Sequence, residues 1–232
     1  MSEINDFFIQ IIIGIIITDF FVGFFHWIED TYFCYNASNS LIRYIAQDNE
    51  LHHYYPRDIL SYSYLENLIV TVPLTIILLL IIFIINKDFF LKYKYVMIVF
   101  FIFGSLSNIF HKFLHMRRCE KSILLNFLQD YCILTPTDQH KDHHEKSDDN
   151  YCVILYFNNL ILKYIKFWYI LEQILYNLFG LKRREVKSFN TFKKIHNIFH
   201  KISKKDCPRV LTKSELEILK NHLKRIYKNF KC

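Results

Sequence analysis

The chain has 232 residues, enough for one compact domain and a tail. Hydrophobic residues make up 52% and aromatics 18%, with only four glycines and four prolines, which excludes a β-rich or low-complexity protein and points to helices. The net charge is +7, but the basic residues crowd into the end of the chain: residues 181–232 hold 16 Lys and Arg against Glu185, Asp206, Glu215 and Glu217, leaving the rest acidic on balance.

In chain order, residues 7–25 are apolar apart from Asp19, and about 20 such residues cross the hydrocarbon core of a bilayer. No Lys or Arg precedes this run, and it exceeds the ~7 to 15 residues of a signal-peptide core, so an uncleaved anchor is expected. His26 closes the span and His52-His53 lie in the loop that follows. Residues 65–85 form a second span. Residues 95–110 form a third that runs on through His111 towards His115, and His140-x-x-His143-His144 come after it. Three crossings put all eight of these histidines on one side of the membrane. Of the 29 Lys and Arg, only Lys87, Lys92 and Lys94 fall on the other side, which makes the histidine side cytosolic by the positive-inside rule.

Residues 151–179 are apolar but interrupted by Asn158, Asn159, Lys163, Lys166, Glu172 and Gln173, a pattern that fits an interfacial or re-entrant helix better than a fourth span. A final helix is expected after Thr212-x-x-Glu215 or Ser214-x-x-Glu217, with Leu216, Leu219, Leu223 and Ile226 on one face. Two uses fit the basic tail: attraction to anionic headgroups, or a solvated end. His196, His200 and His222 stand in it, apart from the clusters. The six cysteines include no Cys-x-x-Cys pair, so neither a zinc ribbon nor a disulfide framework is expected, in keeping with a reducing, cytosol-facing location. The fold expected is therefore all-α, a polytopic membrane bundle of three or four spans with a cytosolic histidine-rich metal site. It divides into residues 1–184 and a basic helical tail, 185–232.

One metal takes three or four imidazoles before its shell is full, so His26, His52, His53, His111, His115, His140, His143 and His144 point to two metals. A zinc hydrolase needs about three ligands and an open position, and no His-Glu-x-x-His motif is present. Two irons activating dioxygen account for the number. Unactivated C–H bonds demand an oxygen-derived metal oxidant rather than a base, and such chemistry consumes electrons. The scattered glycines form no nucleotide-binding loop, so those electrons must come from a partner protein. On the first span Asp19, His26 and Asp30 share a helical stripe, and either carboxylate is a candidate to orient a metal-bound ring through its second nitrogen, or to bind metal itself. A non-catalytic membrane metal-binding or transport protein is the alternative from another class. It would favour ionisable groups at mid-membrane on several spans, where only Asp19 is found.

These boxes resemble the plasmanylethanolamine desaturase family of lipid desaturases. The likeness runs from Asp19 to Arg184 through Asp19 to Thr31, His52-His53-Tyr54-Tyr55-Pro56, Asn108 to His115, Leu128-Gln129-Asp130 leading to His140-x-x-His143-His144, and then Phe167-Trp168 and Leu171-Glu172. It adds Asn108 and Asp130 as polar partners of the ligand histidines. Tyr55 stands where ether-lipid members tend to have aspartate, Glu145-Lys146-Ser147 lacks a usual proline, and Tyr131-Cys132 replaces an aromatic-His step. The resemblance implies dehydrogenation of the alkyl ether chain of plasmanylethanolamine to the vinyl ether of a plasmalogen, with dioxygen consumed and iron as the metal. It also implies a cytochrome b5-type electron donor and a place in the endoplasmic reticulum, with no nucleic acid involved. An acyl-chain desaturase acting on phospholipid-linked chains would use the same site with a different pocket.

Overall fold

The computed structural model describes residues 3–146, 148–184 and 210–227, and among them every named element is helical. Helix α1 (Glu3–Tyr32) is 30 residues long, about 45 Å at 1.5 Å per residue. It outruns the ~30 Å hydrocarbon core, so its last turns, with His26 and Asp30, stand at the membrane edge. Helix α2 (Ser40–Tyr54), capped by the Asn39 side chain, ends on His52 and His53. Ser63 and Glu66 form a reciprocal cap that starts α3 (Tyr64–Ile85), an apolar helix whose lipid-facing side exposes Leu65, Ile69, Ile76, Ile77, Leu80 and Ile84.

After the short α4 (Lys87–Lys92), the chain returns through α5 (Lys94–Ser105) and α6 (Ser107–His115). The expected third span is bent by 44° between these two helices, around Leu106. The bend re-aims α6 so that His111 and His115 face inward, while Ser107 donates to the Gly104 carbonyl at 2.8 Å. Helices α1 and α3 are each long and apolar enough to cross a membrane, and the bent pair passes the same test when its two helices are taken as one span. The protein is a helical membrane protein of that kind.

Helices α7 (Ile123–Asp130) and α8 (Thr137–Lys146) follow. A return segment, 148–155, then leads to α9 (Tyr156–Tyr164) and α10 (Phe167–Phe179), which meet at Lys166 in the left-handed conformation, φ 52°. Neither is long enough to cross, as the polar interruptions led one to expect. Trp168 of α10 stacks on Trp27 of α1, and the Trp27 indole donates to Glu172 at 3.1 Å.

The final helix, α11 (Lys213–Tyr227), takes the first of its two possible caps: the Thr212 amide donates to Glu215 at 2.8 Å and the Thr212 hydroxyl accepts from the Glu215 amide. Its leucine stripe lies against α2. Leu211, Leu216, Leu219, Leu223 and Tyr227 pack with Leu51, Tyr54 and Tyr35, and Lys220 reaches Asp48 at 2.8 Å. A buried leucine contributes roughly 1.5–3 kcal/mol against about 1 kcal/mol for a lysine near an anionic surface, so the apolar stripe decides where this helix docks. His222 is exposed on its outer side. His196, His200 and residues 185–209 lie outside the described residues. Cys119, Cys132 and Cys152 are free thiols, but Cys34 is disulfide-bonded, a link not expected from spacing. Pairing depends on Cβ proximity in the fold, which sequence spacing does not report.

Candidate metal centre

All eight histidines converge where the inner ends of α1, α2, α6 and α8 meet. Two of the four helices deliver adjacent pairs, His52-His53 and His143-His144. Neighbouring residues on a helix point about 100° apart, so each pair divides between two sets. His52, His111, His115, His140 and His144 form one, and His26, Asp30, His53 and His143 the other, with the ligand atoms inside each set within 4.8 Å of one another. The sets touch: ring centroids are 5.3 Å apart for His26 and His111, and 4.7 Å for His53 and His144.

In the five-histidine set, His140 Nε2 lies 2.9 Å from His111 Nε2, 3.1 Å from His115 Nε2 and 3.1 Å from His144 Nε2, and His52 Nε2 lies 3.1 Å from His111 Nε2. A ring nitrogen carries one proton or one lone pair, so His140 cannot hydrogen-bond to three others. Nitrogens about 2.1 Å from a shared cation and at right angles around it fall about 3.0 Å apart, the spacing seen. Burial holds His140 and His144 well below the usual imidazole range, with their neighbouring imidazoles adding to the effect. They are neutral, the form in which imidazole binds metal.

The second set has its tautomers set from behind. His26 Nδ1 donates to the Tyr151 carbonyl at 3.0 Å and His143 Nδ1 to the Asp149 carbonyl at 2.8 Å. Carbonyls only accept, so each ring turns its Nε2 towards Asp30. His143 Nε2 is 3.1 Å and His26 Nε2 3.6 Å from Asp30 Oδ2, and all three atoms are buried with no hydrogen bond. His53 Nε2 approaches Oδ1 at 3.0 Å, and burial lowers its pKa as well. Lone pairs aimed at one another fit a shared cation. The donor set, neutral nitrogens with one carboxylate, suits iron as well as zinc.

Asp58 was not anticipated. It sits in the turn after α2 and accepts from His52 Nδ1 at 2.7 Å, holding His52 Nε2 towards the five-histidine set. Its only sequence signal is its place six residues after His52. Asp58→Asn is expected to lower metal affinity or activity by ~10 to 100-fold, the usual effect of losing such a carboxylate, measurable by metal titration of the purified variant. Wild-type affinity would show that the hydrogen bond is incidental.

The other carboxylates proposed from sequence serve elsewhere. Asp19 does not reach a histidine. Fully buried, it accepts from the Ile154 amide at 2.8 Å, the Leu155 amide at 3.1 Å and Asn158 Nδ2 at 2.8 Å. One turn on, Gly23 lets Cys152 press against α1: a Cβ there would stand 2.7 Å from its sulfur. Together they pin the segment that carries the Asp149 and Tyr151 carbonyls to the rings, so Asp19 acts at a distance, through backbone. Asp130 is on the surface, bound at 2.7 Å by both nitrogens of the Arg118 fork. Asn108 lines the cavity beside His111. The Tyr55 hydroxyl accepts from the Leu211 amide at 3.3 Å, which commits that departure from the expected aspartate to docking the C-terminal segment.

That cavity runs between α1, α3 and α5–α6. Phe21, Leu74, Leu78 and Phe100 line its membrane part, and His26, Glu29, Asn49, Asn108 and His111 its inner end. Phe21, Val70 and Leu74 are also exposed on the apolar outer surface of α1 and α3, so the cavity opens to that surface.

The helical bundle thus gathers two sets of side chains that could hold metal at the end of a largely apolar cavity. The chain belongs to the lipid desaturase family, whose domain matches residues 15–186. It is a membrane lipid desaturase, an oxidoreductase. It is 30% identical over 186 residues to a probable fatty acid desaturase of Acanthamoeba polyphaga mimivirus, covering 79% of this chain and 90% of the relative. It is 26% identical over 183 residues to the plasmanylethanolamine desaturase of Myxococcus xanthus, covering 75% of this chain and 62% of that protein. No solved structure matches the chain.

Proposed function

We propose that this protein dehydrogenates the alkyl ether chain of plasmanylethanolamine at the bond next to the ether oxygen, using dioxygen at a two-iron site formed by the eight histidines and Asp30. The position of the ligands along the cavity carries this reading. His26 and His111 stand at its polar end, with Phe21, Leu74, Leu78 and Phe100 on the membrane side of them. A chain held this way places its long apolar remainder below the metals and its headgroup above, so the bond presented is one near the headgroup.

Iron, when bound, supplies the oxygen-derived oxidant that unactivated C–H bonds require. The protein does the rest. The apolar lining binds the chain and keeps water from it, while the carbonyls of Tyr151 and Asp149 hold His26 and His143 towards Asp30 and the Asp58 carboxylate holds His52 towards the five-histidine set. In balance, two hydrogens leave the chain and dioxygen takes up two electrons and two protons, giving the double bond and two waters. A cytochrome b5-type donor supplies the electrons at the cytosolic face, and the histidine side faces the cytosol from the endoplasmic reticulum, in line with its excess of Lys and Arg. Acyl-chain desaturation is the second reading, favoured by the name of the mimivirus relative.

The test is expression in cells that make plasmanyl lipids but no plasmalogens, followed by lipid mass spectrometry and metal analysis of the purified protein. Acid-labile vinyl ethers and about two irons per chain are expected, because nine ligands exceed one metal's shell. New acyl double bonds without vinyl ethers would establish the second reading, and stoichiometric zinc without iron after iron-replete expression would overturn both.

A further inference from the structure

We propose that Glu29 selects the headgroup of the lipid, favouring an amine-bearing, zwitterionic one over an anionic one. This deepens the function proposed above and rests on it for the identity of the substrate. On α1, Val22, Phe25, His26 and Glu29 face the same cavity in succession. The stripe passes from apolar to metal-ligating to acidic, and Glu29 lies one turn beyond His26, about 4.5 Å further along the axis. A lipid whose reacting bond sits at His26 and His111 extends its headgroup past that point.

The surroundings of Glu29 lack the one thing a carboxylate needs. Its neighbour Asp30 is compensated by His53 at 3.0 Å and by the Asn49 amide at 2.6 Å. Glu29 is only partly exposed, yet among the described residues no hydrogen bond or ion pair reaches its carboxylate and no Lys or Arg lines the cavity. A partly buried carboxylate without a counterion is costly, and an ammonium arriving with the ligand supplies the missing charge. An anionic headgroup brings no such charge and meets either a neutral acid it gains nothing from or a second anion in a poorly solvated site, a difference in affinity that excludes a competitor. Asn49, lining the same end, offers polar company to the ester and phosphate oxygens.

The full-length protein, solubilised and given an equimolar mixture of 1-alkyl lipids with phosphoethanolamine and phosphoglycerol headgroups, is read by native mass spectrometry for which lipid it retains. The wild type is expected to favour the ethanolamine lipid by about tenfold. Glu29→Gln, nearly isosteric, should bring the ratio close to one, Glu29→Lys should reverse it, and Glu29→Asp should preserve it. Equal retention by the wild type, or an unchanged ratio in both Glu29→Gln and Glu29→Lys, overturns the proposal. The retention ratio does not depend on turnover. A wild type that retains the ethanolamine lipid selectively but forms no vinyl ether would therefore count against the proposed reaction and not against the role of Glu29.

Discussion

Replacing His140 by alanine is expected to abolish desaturation and to remove one of the two irons proposed above. Its Nε2 lies within 3.1 Å of His111, His115 and His144, so it is the common neighbour of the five-histidine set. The ring is fully buried, and alanine leaves a gap that water enters without restoring the ligand. Loss of a partner behind a ligand costs ~10 to 100-fold, and loss of a central ligand should exceed that and bring vinyl ether formation to background. His222→Ala, on the exposed side of α11, is the control and should keep full iron and turnover. Two measurements check this, iron per chain and product per hour. A variant that retained two irons and most of its turnover would remove His140 from the site, and equal damage from His222→Ala would show that the histidines are wrongly divided.

Asp30→Asn should have an effect almost as large, by a different route. Asp30 is the one anion in its set, and its two oxygens face His53, His143 and His26 at 3.0, 3.1 and 3.6 Å. Asparagine keeps the shape but removes the charge that offsets a cation among three neutral rings, and it can turn an N–H towards Nε2 atoms that are held as acceptors. One iron should be lost, and desaturation with it, by at least ~100-fold, the upper end of the range for losing a supporting carboxylate. The protein should still reach the membrane, because the apolar run of α1 that crosses it, residues 7–25, precedes this group. Asp19→Asn makes the contrast: three donors converge on that carboxylate from residues 154–158, so the variant should lower thermal stability while iron per folded molecule falls less. Full iron and full turnover in Asp30→Asn would make Asp30 a bystander and confine the contribution of α1 to His26.

Apolar run length identified the two long crossing helices and the bent pair that passes the same test together, because a bilayer sets a length that hydropathy reports directly. The same count put the eight histidines on one side, and His111 with His115 on one face followed from helical period. Thr212 and Glu215 were recognisable as a cap because that reciprocal pair needs only local geometry. The bend at Leu106 has no proline; the Gly104-Ser105 pair just before it is a weaker local mark, and beyond it α6 packs against α3, α8 and the turn that carries Asp58.

The sequence by itself determined that this chain would cross a membrane, gather histidines at one face of it and hold more ligands than one metal can use, since each of these follows from composition and spacing along the chain. Only the tertiary structure decided how the ligands divide. His52 parts from His53 and His143 from His144 because adjacent helical residues diverge by about 100°, and which way each one turns depends on how α2 and α8 are rotated against α1 and α6. Tertiary packing likewise sent Asp19 to the backbone of residues 154 and 155, Asp130 to Arg118, and Tyr55 to the C-terminal segment. A carboxylate or hydroxyl takes whichever donor the fold brings within 3 Å or so, and contacts such as those of Asp19 and Tyr55, over a hundred residues apart, leave no trace in local pattern.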